Sequence, residues 1–316
     1  MALAAVYVTL RQQLLDSTRK MRQLEEENNR IVIEAYGLQG ELTPEAPLNE
    51  ITLTCNPHYR YSSDKSEAEL EALLLADTMR EFISYAVGCM FGRYSLDKPG
   101  LILANQGETL ADYLRQIPQP SFTPDKDNVI PLLDGDWFPD DIVERFKAFL
   151  RLTFGDDHYE ENLAFIENAI GRDIRRYFLR DFYSHHLKMY KKRPIYWLFS
   201  SDKGSFNVLI YMHRYRPDTV SIILNDYLRD FRAKLTNRKS HLQAVSISTA
   251  AAQRDKTQAL KEIANIDKTL KEISSYEDDV LYPLATQQLQ IDLDDGVKVN
   301  YNKFGSALRK VSGLSR

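Results

Sequence analysis

Two long stretches without glycine or proline set the main constraint on the fold of this chain. From Ala2 to Glu34, apolar residues recur at the spacing of an amphipathic helix, and Gly37 stands where such a helix would end. From His241 to about Val280, apolar residues keep the spacing of a coiled coil. We expect this second helix to fold back against the N-terminal helix or against the helix before it.

A β-hairpin is predicted between residues 194 and 212. Ile195 to Ser200 and Phe206 to Met212 are runs rich in β-branched and aromatic residues, and the polar turn between them contains Gly204, where a positive φ is expected. The predicted fold class is therefore α+β, predominantly helical, with long coiled-coil-like helices and a small subdomain that contains the hairpin.

The chain of 316 residues is long enough for roughly one to three domains. Four segments are predicted: a long N-terminal helix or spacer at 1–40, a mixed helical domain with the hairpin at 41–238, a coiled-coil-like helix at 239–282, and a C-terminal clip at 283–316. In the clip, Asp295-Gly296 between alternating runs predicts a small hairpin or an extended arm. Glu50 to Cys55 is predicted as a short strand or an irregular arm.

Charge is distributed unevenly along the chain, although the net charge is only -4. Between Arg172 and Lys239 there are 16 Lys or Arg against 6 Asp or Glu, whereas between Asp125 and Glu167 there are 4 against 12. The two segments could neutralise each other through ion pairs or could form two surfaces with different partners. The sequence leaves both possibilities open.

Cations stand at both ends of the predicted hairpin and at its tip. A two-stranded ribbon of this kind can enter the major groove of DNA. Alternatively, the hairpin is buried and its charged ends are only solvated. The pattern alone does not decide between these interpretations.

No catalytic motif is found. Asn56-Pro57-His58-Tyr59 is similar to the Asn-Pro-Pro-aromatic loop of amino-group methyltransferases, but His58 replaces the second proline and no glycine-rich cofactor turn precedes it. We therefore predict an ordinary turn there, with no catalytic and no cofactor-binding residue in this chain.

Metal, disulfide and membrane chemistry are not expected either. His185 and His186 point about 100° apart on a helix, and the acidic residues from Asp134 to Asp141 lack the spacing of a calcium loop. Two cysteines give no disulfide framework, which fits a reducing cytoplasm, and we expect no signal peptide and no transmembrane helix.

Several long phrases resemble one protein family. KKRPIYWLFSSDKGSFNVLIYMHRYRPDTV (191–220) is similar to the region near the C-terminus of the PglX adenine-specific DNA methyltransferases of BREX phage-defence systems, and less closely to the large Eco57I-like restriction-modification enzymes. Further similar phrases are LEEENNRIVIEAYGL (24–38), ELTPEAPLNEITLTCNPHYRY (41–61), EALLLADTMREFISYAVGCMFGRYSLDKPG (71–100) and DLDDGVKVNYNKFG (292–305).

The resemblance implies a specific role. The family's methyltransferase core, with its S-adenosylmethionine site, lies in a longer N-terminal part that matches nothing here. The chain itself is expected to be no enzyme, although the resembled full-length protein is a site-specific adenine methyltransferase. This region is expected to recognise or clamp DNA, or alternatively to be a helical scaffold that docks the core or other defence proteins.

The expected partners are double-stranded DNA, the methyltransferase core of the same protein, other BREX proteins and DNA-mimic inhibitors. Arginines are the candidates for bidentate contacts to guanine or phosphate, and lysines for phosphate charges. The residues predicted to bind DNA are Lys191, Lys192, Arg193, Lys203, Arg214, Arg216, Arg172 and Arg176.

Overall fold

The structure is a computed structural model that describes residues 1–61 and 64–315. It confirms a predominantly helical α+β protein with a small antiparallel sheet. By internal contacts the chain divides into two compact units. Unit 1 contains Met1–Ile83 and Leu150–Asp173, and unit 2 contains Ser84–Phe149 and the chain from Ile174 onward. No helix among the described residues is long and apolar enough to cross a membrane.

The helices of unit 1 include the predicted N-terminal helix, α1 (Leu3–Tyr36), which ends at Gly37 with a φ of 68°. The short helix α2 (Pro57–Arg60) follows, and then α3 (Glu67–Met90), whose residues up to Ile83 belong to unit 1. Helix α3 begins at a capping box formed by Ser66 and Glu69. The run from Glu50 to Cys55 forms no strand, so the irregular-arm alternative holds. The start of α1 is held by the Leu3 amide, which donates to Asn162 Oδ1 at 2.6 Å, and by an ion pair between Arg11 and Glu71.

The sheet of unit 2 has three antiparallel strands in the order β1-β3-β2. They are β1 (Ile130–Pro131), β2 (Tyr196–Ser200) and β3 (Asn207–Tyr211), so the predicted hairpin is confirmed. Gly204 has a φ of 75°, as its turn requires. Every residue of β2 and β3 is buried. Trp197 packs edge-on against Tyr301 and Phe304, which covers one face of the hairpin with aromatic rings.

The remaining helices follow in chain order. They are α4 (Leu110–Gln116), α5 (Ile142–Phe154), α6 (Tyr159–Ile170), α7 (Ile174–Tyr177), α8 (Tyr183–Met189), α9 (Thr219–Ile222), α10 (Arg229–Ile247), α11 (Gln253–Tyr276), α12 (Tyr282–Gln287) and α13 (Val297–Lys303). Three π-helical turns, at Phe178–Phe182, Ile223–Leu228 and Glu277–Leu281, join α7 to α8, α9 to α10 and α11 to α12.

The prediction of one continuous helix from His241 to Val280 is wrong, because the structure has two helices there. Helix α10 ends at Ile247, residues 248–252 turn, and α11 runs back against α10. Packing the two helices buries Leu235 and Leu242 of α10 together with Ile266 of α11. Burial of these apolar faces outweighs the helical propensity of the turn, which contains neither glycine nor proline.

The small hairpin predicted at Asp295-Gly296 is also wrong. Gly296, with a φ of 81°, leads from a 3-10 turn at Leu293–Asp295 directly into α13. The buried Asn300 side chain bonds the backbone groups that a second strand would otherwise pair. Its Nδ2 donates to the Gly296 carbonyl at 3.1 Å, and its Oδ1 accepts from the Asp292 amide. After α13, the chain lies beside β2: the Arg309 amide donates to the Leu198 carbonyl at 2.8 Å.

Candidate nucleic-acid interface

The hairpin tip is held to α11 by Glu272. Its carboxylate accepts hydrogen bonds from the Ser201 hydroxyl at 2.6 Å, the Lys203 amide at 2.8 Å and the Ser205 hydroxyl at 2.5 Å. Burial opposes ionisation of Glu272, but these donors outweigh it and lower the pKa of the carboxyl. The turn is thereby fixed, with the Lys203 side chain exposed at its end.

The C-terminal segment adds two cations that sequence analysis did not select. Arg309 lies against the hairpin turn, since a Cβ added at Gly204 would sit 3.5 Å from its Nη1. Arg309, Lys310 and Lys203 line one cavity of about 610 Å³. At the other end of β2, a Cβ added at Gly313 would sit 4.0 Å from Lys192 Nζ. We call Lys192, Lys203, Arg309 and Lys310, all exposed, the basic edge.

The cations before β2 have an unusual backbone. Lys191 and Lys192 have φ values of 49° and 61°, in the left-handed region that side chains other than glycine rarely adopt. The Lys192 amide donates to the Leu187 carbonyl at 2.7 Å, and the Arg193 amide donates to the Tyr190 carbonyl at 2.8 Å. These local hydrogen bonds after α8 fix the backbone of three successive exposed cations at the base of the hairpin.

Arg214 has a position that direct DNA contact does not fit. The residue is 4% exposed, and its guanidinium donates to the carbonyl of Phe91 at 3.2 Å and to that of Lys126 at 3.4 Å. Burial lowers the pKa of Arg214, although Asp125 and Asp127 oppose this shift. Arg214 therefore links two segments of unit 2 in the interior. The sequence shows only a basic residue near the end of a strand and does not reveal that it is buried.

The other predicted arginines lie at separate places. Arg216 is exposed and forms an ion pair with Asp218 at 3.0 Å. Arg172 and Arg176 are exposed, but Arg172 belongs to unit 1 and Arg176 to unit 2. The structure therefore brings together Lys192 and Lys203 through the C-terminal segment, and it does not group all eight predicted residues.

Insertion of the hairpin into a major groove is excluded in this conformation, because both strands are buried. A ribbon that reads bases must present one face to the groove. The tip and the base of the hairpin are available to a ligand, together with the C-terminal segment that covers the edge of β2. The alternative of a buried hairpin with solvated charges therefore describes its strands correctly.

Part of the acidic segment is neutralised by ion pairs. Arg175 contacts Asp136 at 2.5 Å and Asp141 at 2.8 Å, and Arg145 lies 3.7 Å from Asp125. Burial, with Asp127 beside it, raises the pKa of Asp125 to about 7. Ion pairing is thus one use of the charge asymmetry seen in the sequence.

In the tetrapeptide Asn56-Pro57-His58-Tyr59, the Asn56 side chain forms hydrogen bonds with nearby backbone groups. Asn56 is 1% exposed; its Nδ2 donates to the carbonyls of Leu48 and Ile51 at 2.7 and 2.9 Å, and its Oδ1 accepts from the His58 amide at 3.2 Å. The side chain caps α2 and has no oxygen free to orient a target amine. These residues do not fit the catalytic loop of a methyltransferase.

His186 of the histidine pair has a structural role. His186 is buried, and its Nε2 accepts from the amides of Ile195 and Tyr196, both at 3.2 Å. Burial, reinforced by the charge of Arg93, lowers the pKa of His186 to about 3. Within residues 1–61 and 64–315, no group of His, Cys, Asp and Glu could hold a metal ion.

The clamp on the hairpin tip can be tested by its contribution to stability. We expect Glu272→Ala to lower the free energy of unfolding of unit 2 by about 1–2 kcal/mol, because two hydroxyls and a backbone amide lose their acceptor. Asp255→Ala, on the same helix, is the matched control and should change it by less than about 0.5 kcal/mol. Urea denaturation followed by fluorescence of Trp137 and Trp197, both in unit 2, measures each value. Equal effects of the two variants would contradict the clamp.

Together, fold and site define a helical α+β protein whose buried hairpin carries a fixed basic edge. Two curated proteins are similar to this chain. Adenine-specific methyltransferase BrxX of Escherichia coli O9:H4 (strain HS) is 38% identical over 312 residues, covering 92% of this chain and 25% of the relative. Adenine-specific methyltransferase PglX of Lacticaseibacillus casei (strain Zhang) is 38% identical over 299 residues, covering 91% of this chain and 23% of the relative.

The chain is thus homologous to adenine-specific methyltransferases, and the resemblance found in the sequence is confirmed. It spans about a quarter of the length of these relatives, which is consistent with a C-terminal region. No family model matches the chain.

Proposed function

We propose that this chain is the non-catalytic DNA-recognition and clamping region of a BREX adenine-N6 DNA methyltransferase that marks self DNA in phage defence. The basic edge is the observation that carries the proposal. Its four cations are exposed, and they lie along a sheet edge whose backbone is fixed by Glu272 and by the C-terminal segment. Because the backbone that carries these cations is already fixed, binding to phosphate does not require a loop to become ordered.

The dimensions of the basic edge suit a duplex backbone. At about 3.3 Å per residue, the five residues of β2 span about 17 Å between the base and the tip of the hairpin. One strand of DNA advances about 3.4 Å along the axis per phosphate, so several phosphates face a surface of this length. Phosphate contacts of this type position DNA without reading its sequence.

The chemistry belongs elsewhere in the proposed protein. Methyl transfer to adenine requires S-adenosylmethionine and a loop that holds the amine, and neither the Asn56 turn nor any glycine-rich turn described here fits those tasks. This chain would hold the duplex while the methyltransferase core acts on the flipped adenine. Among the residues predicted to bind DNA, Arg193 and Arg216 are exposed and are the candidates for base contacts.

The test is the salt dependence of DNA binding by this chain. With the four cations of the basic edge on phosphates, we expect log K to fall with log salt at a slope of about -3.6, measured by fluorescence anisotropy on a 24-base-pair duplex. Lys191 and Arg193 would make the slope steeper. Absence of salt-dependent binding to duplex DNA would overturn the proposal.

A helical scaffold is the second candidate, and α1 favours it. Its side chains Leu24, Ile31 and Tyr36 are apolar or aromatic, and they are 52%, 60% and 77% exposed. Such residues could dock the methyltransferase core of the same protein. If this is the main role, Leu24→Ser with Ile31→Ser should abolish capture of the separately produced core and leave DNA affinity unchanged.

A further inference from the structure

Helix α11 carries a second group of exposed cations. Arg254, Lys261 and Lys268 recur at intervals of seven residues and therefore lie on one side of the helix. Lys271 is exposed one turn after Lys268. No carboxylate among residues 1–61 and 64–315 lies within ion-pair distance of these four side chains.

The acidic residues of α11 are mostly engaged by other elements. Glu262 forms an ion pair with Arg238 of α10 at 2.7 Å, and Asp267 forms one with Lys239 of α10 at 2.5 Å. Glu272 accepts the hydrogen bonds of the hairpin turn. Tertiary contacts thus ion-pair or hydrogen-bond three carboxylates of a helix whose sequence is nearly balanced in charge, while its row of cations stays exposed.

These cations continue the basic edge. Lys268 and Lys271 line a cavity of about 700 Å³ together with Lys203, the tip residue of the hairpin. Asp202, Glu272 and Asp279 line the same cavity, so three carboxylates face the three lysines and the cavity itself is of mixed charge. Arg254 and Lys261 lie further along α11. The helix joins the hairpin tip to the turn at 248–252.

We propose that α11 binds the phosphate backbone of the same duplex, so that the DNA contact runs from the basic edge past Lys203 and along Arg254, Lys261 and Lys268. At 1.5 Å per residue, these three residues span about 21 Å, which corresponds to about six base pairs. The inference rests on the proposed DNA-binding function and extends it to a second surface. The cations of this surface are spaced along α11 and form no continuous basic run in the sequence.

The experiment compares three variants with the wild-type chain on a 24-base-pair duplex. Arg254→Gln/Lys261→Gln/Lys268→Gln removes the row, and Arg254→Lys/Lys261→Arg/Lys268→Arg preserves its charge. Lys20→Gln/Arg30→Gln/Lys65→Gln removes three exposed cations of unit 1 and matches the change in net charge. Near-ultraviolet circular dichroism checks that each variant is folded.

We expect the row variant to bind about tenfold or more weakly at 100 mM salt, with a slope less negative by about 2.7, since each phosphate contact contributes about 0.9. The charge-preserving variant and the unit 1 control should bind within about threefold of wild type. DNA should also slow the acetylation of Lys261 and Lys268 in the wild-type chain.

Two results would overturn the inference while DNA binding by the wild type stands: an unchanged slope in the row variant, or an equal loss in the unit 1 control. If the wild-type chain binds no duplex at all, the proposed function itself fails. The two failures are therefore distinguishable.

Discussion

Reversing the charge of the basic edge is expected to lower duplex affinity by at least about 100-fold at 100 mM salt. In Lys192→Glu/Lys203→Glu/Arg309→Glu/Lys310→Glu, four phosphate partners become repelling carboxylates along a sheet edge that keeps its backbone contacts. The slope of log K against log salt should become less negative by about 3.6, because each of the four phosphate contacts contributes about 0.9. Fluorescence anisotropy across a salt series measures both quantities.

The control for this variant is the reversal of four exposed cations on α1 and the loop before α3: Arg19, Lys20, Arg30 and Lys65. It changes the net charge equally, so a similar loss of affinity in the control would indicate only a general charge effect. Retention of the slope by the basic-edge variant would reject this surface as the phosphate contact. Arg214 is unsuitable for such a test, because a buried carboxylate at that position would disrupt the fold.

A second large effect is expected in acid. His186 is held neutral by burial, with a folded pKa of about 3 against an ordinary value of 6.5. Below pH 6.5 the unfolded chain binds a proton that the folded chain does not, so stability is full above that pH and falls as the pH decreases toward 3. Between pH 7 and pH 5, His186 alone should cost about 2 kcal/mol.

His186→Gln isolates this contribution. The Gln side-chain oxygen can accept from the Ile195 and Tyr196 amides in place of Nε2, but it does not titrate. The variant should lose about 2 kcal/mol less than the wild type between pH 7 and pH 5, in urea denaturation followed by tryptophan fluorescence. Asp125, whose raised pKa acts with the opposite sign in this range, is common to both chains and cancels. Parallel pH curves would show that His186 is accessible to protons.

Local patterns predicted most of the secondary structure correctly. Helix α1 ends at Gly37 and Gly204 turns the hairpin, because each of these features depends on neighbouring residues. The prediction failed where a distant contact competes with a local preference. The turn at 248–252 exists because α11 packs on α10, and Asp295-Gly296 begins a helix because Asn300 supplies the hydrogen bonds.

The site was predicted only in part. Lys191, Lys192, Arg193 and Lys203 are exposed as a basic ribbon requires, but burial of β2 and β3 removes the groove-binding face, and Arg214 lies inside. Arg309 and Lys310 were missed because they lie about a hundred residues away in sequence. Their sequence pattern is two adjacent cations after a short apolar run near the C-terminus. This pattern does not reveal that the segment lies beside β2, which follows only from the hydrogen bond between the Arg309 amide and the Leu198 carbonyl.

The sequence by itself determined the helical α+β class, the hairpin and the homology to adenine-specific methyltransferases, since these follow from spacing, turn residues and long similar phrases. Only the tertiary structure decided which charges are available. Burial, ion pairs and hydrogen bonds depend on residues far apart in the chain, and they engage Arg214, Glu262 and Glu272 in contacts within the fold while leaving Lys203 and Arg309 at the surface.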